Sequence, residues 1–355
     1  MNCPHPKLIA LAVLWAHFIY QVHYQWGSAS YYNYGWAVPL LTLILFYNRL
    51  DSKPLHQSRE FSLKEKSRKT RGMIIAALSL IVIVPASILS EVNVFWRVPL
   101  YLHAIPLMVL SFIWIESILG RENRQFFLFP LIFFLTMLPW PYRIEKEVIA
   151  SFSGQVTQTT VVLLNSMGLN SIAAGNTIRL GDMTVGVDDA CSGIRSLQAL
   201  FMIGLFLGEL YFLNIWKRAV LLVGATVLVF LFNTLRSTSL ALLYFVIGED
   251  VYKFWHDPVG LATFTASLAI LFAITFLLEK KEGGSGFWKD NRNRILAPRF
   301  NNTLWIRGAW LWPAASVATI IAVESWFWAR NAKEEASLAQ WTLQPAPGFF
   351  SDVSE

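Results

Sequence analysis

Nine runs of apolar residues, parted by polar or basic stretches, leave this chain few ways to fold. They are Leu8–Tyr24, Tyr34–Tyr47, Met73–Leu89, Val98–Leu119, Phe126–Leu138, Ile194–Leu213, Ala219–Ile247, Gly260–Leu278 and Trp310–Trp328. Several reach the roughly 20 residues that a helix needs to cross a hydrocarbon layer about 30 Å thick. Of the 355 residues 55% are apolar and only 15% charged, and the mean hydropathy is +0.47. So few charges cannot cover that much apolar surface in a soluble protein of this length. The fold class implied is all-α, a polytopic transmembrane helical bundle of about nine spans. Fifteen tryptophans, several beside the runs, suit interfacial belts.

The basic residues set an orientation. Residues 49–71 carry eight Lys/Arg against three Asp/Glu, and residues 279–307 carry seven against three. Arg121 and Arg124, then Lys217 and Arg218, mark two short turns. Threading alternately from a cytoplasmic N-terminus puts all of these inside, and puts the slightly acidic 140–190 segment and the C-terminal tail outside. The net charge of +6 thus reads as a topology signal and not as a nucleic-acid patch. His17, Gln21 and His23 make the first run polar, so one of its faces is expected against protein or a cavity. Pro85 is expected to kink the third span.

Between the fifth and sixth runs, Ile144–Met167 has an apolar rhythm broken by Ser, Thr and Gln, which suits an interfacial or re-entrant helix. Residues 172–187 alternate around Ala174-Gly175-Asn176 and Leu180-Gly181-Asp182, a hairpin-like pattern. A short extracytoplasmic hairpin and interfacial segment are therefore expected just before Cys191.

Two cysteines are too few for a disulfide framework or a thiolate metal site. Cys3 precedes every apolar run and reads as incidental. The six histidines show no ligand spacing and there is no His-Glu-x-x-His, so neither metal nor cofactor is expected. The first run lacks a small-residue cleavage site and reads as a retained anchor. Cys191 lies just before the sixth span, and His256 lies in a polar loop, Gly248–Pro258, just before the eighth. Arg236 is eighteen residues past Arg218, roughly 27 Å of helix, which brings it to the same outer level. Each has a plainer reading: a small core hydrophobe, a snorkelling arginine, a loop histidine. Against these, Cys191 stands in a polar segment with Arg195 one helical turn on, a charge that would favour the nucleophilic thiolate. Arg236 has Asn233 one turn before it and apolar residues after it, which marks an intramembrane charge.

The string Ala190-Cys191-Ser192-Gly193-Ile194-Arg195-Ser196, then Asn233-Thr234-Leu235-Arg236, then His256 ahead of Gly260 and another span, resembles the exosortase/archaeosortase family. Residues 34–39 and the proline-rich end of the fifth span are similar as well, and the likeness covers roughly residues 8–278. Asp189 departs mildly, standing where glutamate is common. The resemblance implies a membrane-embedded cysteine protease or transpeptidase, a hydrolase of the bacterial inner membrane with its active site at the extracytoplasmic face. Its implied partners are membrane lipids and exported proteins that end in a sorting signal: a short motif, a transmembrane helix and a basic cluster. The bacterial branch serves PEP-CTERM-type signals, often beside exopolysaccharide production.

By position, Cys191 would form the acyl-thioester, with Arg236 and His256 completing the triad and Ser192, Gly193, Arg195 and Asn233 in support. The archaeal branch has arginine where His256 stands. Arginine is a poor proton donor, which favours His256 for the proton, yet that arginine argues that a general base is not essential there; both assignments stay open. The domain reading is 1–278 catalytic, 279–308 a basic cytoplasmic loop, and 309–355 an additional span with an outer tail. Two other classes remain. One is a transporter with Arg236, His17 and His23 lining a polar path, although no inverted pair of broken helices is visible. The other is a non-catalytic assembly partner for envelope polysaccharide machinery.

Overall fold

Pro139 closes the helical run that ends at Met137 and Gly248 the one that ends at Ile247, but Pro85, Pro106, Pro130 and Pro258 lie inside helices. The structure, a computed structural model, describes residues 6–28, 30–52, 64–119, 124–181, 183–186 and 193–280. Helix α1 (Pro6–Ser28) leads through a 3-10 segment, Ser30–Ala37, into α2 (Val38–Ser52). Helices α3 (Lys64–Val92) and α4 (Arg97–Leu119) follow, then α5 (Arg124–Phe134) and α6 (Tyr142–Ser166). Strands β1 (Ser171–Ala174), β2 (Thr177–Leu180) and β3 (Met183–Gly186) precede α7 (Ile194–Leu210), α8 (Ile215–Ile247) and α9 (Glu249–Lys280).

Among the described residues, four helices are long and apolar enough to cross a membrane: Thr70–Val92, Arg97–Ser117, Ile215–Ile247 and Glu249–Glu279. A fifth arises if Phe127–Met137 and Tyr142–Ser166, bent by 76°, form one broken span. The count of nine spans is therefore not reproduced. Helix α1 has the length but is interrupted by His17, Gln21, His23 and Gln25, and α2, α5 and α7 have only 15, 11 and 17 residues. Each of the four buries one face in the bundle: Phe18, Val22 and Trp26 of α1, Leu45 of α2, Phe133 of α5 and Leu200 of α7 are buried, while Leu40 and Leu43 of α2 and Leu128 and Ile132 of α5 are exposed. The proposed ninth span, Trp310–Trp328, and everything else past Lys280 lie outside the described residues.

The 76° bend has a covalent cause. After the 3-10 turn Leu135–Met137 come Pro139 and Pro141, neither able to donate an amide hydrogen. Leu138, ahead of the first, is extended (ψ 139°), and Pro141 is the N-cap of α6. A buried polar clamp then holds the bend. Glu145 accepts hydrogen bonds from Tyr32 Oη and from Arg97, while Arg97 Nη1 also donates to Trp140 O at 2.6 Å. Trp140 N donates to Tyr32 Oη at 2.8 Å, and Trp26 Nε1 to Met137 O at 2.9 Å. Burial pushes the Tyr32 hydroxyl well above its usual range, with the Glu145 hydrogen bond adding to the effect, so it remains a neutral donor.

Three core clusters order the helices. The largest joins α1–α5 to Met202 of α7. A second joins Ile149 of α6 to Ile194 and Leu197 of α7, Val229 of α8 and Leu271 of α9. A third joins Leu164 of α6, Ile178 and Leu180 of β2, and Ala241 of α8. Helix α6 therefore runs alongside α8 in the same direction, and the three strands sit against their far ends. The strands form an antiparallel meander, β1-β2-β3, so the chain is not wholly α. Each of its two turns opens on a glycine at positive φ, Gly175 at 63° and Gly181 at 57°, as two-residue hairpin turns require.

Inside the first cluster, the polar face of α1 meets α3 and α4. Gln21 Nε2 donates to Ser87 O and to Glu91 Oε1, both at 3.1 Å, and Gln21 Oε1 lies 2.9 Å from His103 Nδ1. Polar residues of the first run thus face protein, as their position implied. At the end of the bundle remote from Arg236, buried Glu209 of α7 pairs with Arg49 of α2 and, at 2.7 Å, with Arg218 Nη1 of α8.

Candidate active site

The site is built where the start of α7 meets the middle of α8 and the start of α9. Gly193 is the N-cap of α7, with φ 77° and no side-chain cap. Two constraints select glycine there. Left-handed backbone strains residues with a Cβ, and a Cβ at Gly193 would stand 2.8 Å from Asn233 Nδ2. The chain leaving toward Ser192 and Cys191 therefore starts in contact with the buried Asn233 side chain.

One turn past Asn233, Arg236 reaches across to α9. Its Nη2 lies 3.3 Å from His256 Nε2 and 3.4 Å from His256 O. Gly260 makes room for the guanidinium, since a Cβ there would come within 3.0 Å of Arg236 Cζ. On its other side, His256 Nδ1 lies 2.8 Å from Asp257 Oδ1. Tyr252, one turn before His256, puts its ring 6.0 Å from the imidazole and 5.4 Å from the Tyr244 ring of α8.

The loop expected over Gly248–Pro258 is instead a one-residue turn followed by the opening of α9. Gly248 reverses the chain at φ 113°, which glycine alone tolerates, and Glu249 and Asp250 supply the negative charge that a helix start favours. His256 is therefore a helical residue on a hairpin of two long helices. Arg195 lies in the first turn of α7 with an exposed side chain. The one-turn relation expected between Cys191 and Arg195 falls in part outside the described residues. Cys191, Ser192 and Asp189 themselves lie outside the described residues. Among the described residues, no group of three or more His, Cys, Asp or Glu is placed to hold a metal ion.

The sequence matches the profile of the transmembrane exosortase family over residues 26–273, more than two thirds of the chain. The chain belongs to that family. The resemblance drawn from the Cys191, Asn233–Arg236 and His256 elements is thereby borne out, and the protein is a multi-pass membrane exosortase. No curated protein and no solved structure matches it. In this exosortase, the Arg236–His256 contact joins two residues twenty positions apart on separate helices. Sequence reasoning passed over Asp257, whose one signal was its place beside His256. It also passed over Gln198, which only burial reveals.

Proposed function

We propose that this exosortase is a cysteine peptidase or transpeptidase that cleaves C-terminal, PEP-CTERM-like sorting signals of exported proteins. It would work at the extracytoplasmic face of a bacterial inner membrane. The observation that carries the reading is the Arg236–His256 contact, formed where Gly193 packs on Asn233. Only Ser192 stands between Cys191 and Gly193, at most about 7 Å of chain from one Cα to the other, which supports a role for the thiol here.

The chemistry follows from the donors present. Arg236 is permanently charged and has no acceptor, so it favours the Cys191 thiolate and then the oxyanion formed when sulfur attacks the scissile carbonyl. As the Arg236 guanidinium turns to the scissile carbonyl, the single lone pair of His256 Nε2 is released; it takes the thiol proton and returns it to the leaving amine as the C–N bond breaks. The acyl group stays on Cys191 as a thioester until an acceptor nucleophile removes it. The substrate's own apolar helix keeps the scissile bond at the level of Arg236.

Replacing Cys191 with alanine should abolish cleavage of a reporter ending in a Pro-Glu-Pro motif, an apolar helix and a basic cluster. Unchanged processing would sink the reading. An activated Cys191 should also react with a thiol probe below pH 8 faster than an ordinary cysteine does.

A further inference from the structure

Gln198 has no role in the packing described so far. It lies in the second turn of α7, is only 3% exposed, and neither its Nε2 nor its Oε1 has a hydrogen-bond partner. Burying an amide without partners is costly, and native proteins rarely leave one so unless something else meets it. Side chains on a helix lean toward its N-terminus. Gln198 follows Ile194 by four residues and Arg195 by three, so its amide extends back over the first turn of α7 toward Gly193.

Two neighbouring helices present further unpartnered groups at that height. Thr234 Oγ1, beside Asn233 on α8, and Ser153 Oγ on α6 are both buried and without a hydrogen-bond partner. Ile149, Ile194, Leu197 and Val229 share one core cluster. That cluster aligns the turn of α6 leading to Ser153 with the start of α7 and with the turn of α8 leading to Asn233 and Thr234. Ser153 and Thr234 thus lie on two helices that share this core cluster with the start of α7, and the fold leaves the side chains of both, like that of Gln198, without partners.

We infer that Gln198 receives the main chain of the peptide substrate beside the scissile bond. Its Nε2 donates to a substrate carbonyl and its Oε1 accepts from a substrate amide. Both halves of the side chain are without partners, and one residue of an extended chain turns its own N–H and C=O to the same edge, a donor and an acceptor to match them. A contact to the oxyanion alone would use only the nitrogen. The inference rests on the peptidase reading of the site and names what that site grips: backbone and not side chain, hence a contact indifferent to the signal's sequence.

The test uses the full-length protein in lipid nanodiscs and a synthetic version of the reporter signal. In the synthetic series, each peptide bond near the scissile bond is replaced in turn by an ester, which lacks the N–H. Gln198→Leu should raise KM about fivefold, the loss of a hydrogen bond of ordinary strength, with kcat held and no loss of folded protein. One ester position should cost the wild type a similar factor and cost Gln198→Leu nothing. A wild-type KM in Gln198→Leu, or an ester penalty that persists in it, would overturn the inference while Cys191-dependent cleavage kept the reading of the site. Cleavage that survives Cys191→Ala would overturn both. If Gln198→Leu fails to accumulate, Gln198→Met, closer in length, serves the same comparison.

Discussion

Arg236 Nη2 lies 3.3 Å from His256 Nε2, and a guanidinium has only donors to offer. The imidazole nitrogen in that contact must be the acceptor, which leaves its proton on Nδ1, 2.8 Å from the Asp257 carboxylate. Arginine, histidine and aspartate thus form a line in which each group sets the hydrogen-bonding role of the next. With Nδ1–H on the carboxylate side, the Nε2 lone pair is turned toward Arg236.

The weights along that line differ. Removing His256 or Arg236 by alanine substitution should lower reporter cleavage by about 100-fold or more, as loss of a proton-transfer or oxyanion group does. Asp257 has a side chain 95% exposed, so water and salt screen its contact. Asp257→Ala should therefore reduce kcat/KM only about threefold, and the deficit should shrink as salt is raised. A 100-fold loss in Asp257→Ala would show that the aspartate does more than orient the ring.

Gly260 is a steric prediction. A Cβ there would stand 3.0 Å from both Arg236 Cζ and Nη2, so Gly260→Ala should push the guanidinium off His256. Alanine suits a helix better than glycine does, by about 1 kcal/mol. The variant should accordingly fold at least as well while losing about tenfold or more in cleavage, since misplacement by an ångström is costly to a positioned group. Thermal unfolding and reporter cleavage on one preparation separate the two effects.

Glu209 gives the opposite dissociation. Its buried carboxylate lies between Arg49 and Arg218, which come from helices on either side of α7. Glu209→Gln leaves two part-buried cations facing each other, a change that costs about 3 kcal/mol or more when an ion cluster loses its centre. The detergent-solubilised protein should melt earlier and accumulate less, while activity per folded molecule stays near wild type because the cluster is at the end remote from Arg236.

Tyr32 carries a pH prediction. Burial raises its hydroxyl above the ordinary value of 10.0, so the folded state favours the neutral form. Stability from this group is complete below pH 10 and is lost as pH rises beyond it, because the unfolded chain then releases a proton that the folded chain retains. Tyr32→Phe should destabilise the protein by about 1–3 kcal/mol at neutral pH and flatten the decline above pH 10. A decline as steep in the variant would assign it to other groups.

How far the site was legible varies by residue. The proline pair at 139 and 141 and the glycines at 175 and 181 announce a break and two turns, because each restricts its own backbone. Arg236 could be placed along its helix by counting from Arg218, since α8 is continuous. The sequence puts His256 in a loop and the structure puts it in α9, because a polar stretch that opens a helix looks like one that joins two. Gln198 reads as an unremarkable helical residue until its surroundings are known. Helices α2, α5 and α7 are apolar enough to read as spans, but at 15, 11 and 17 residues they are shorter than the roughly 20 a span needs, a limit visible only once the helix ends are known.

The sequence by itself determined that this chain belongs in a membrane, where its breaks fall, and which family it enters. Hydropathy, charge and the backbone limits of proline and glycine act residue by residue and need no partner. Tertiary structure decided which helices are covered by others, that Arg236 meets His256 rather than lipid, and that Gly193 and Gly260 are the points where Asn233 and Arg236 come close. Those outcomes depend on which faces of two helices meet. That choice is made by packing over the whole bundle and leaves no mark in the spacing of any one segment.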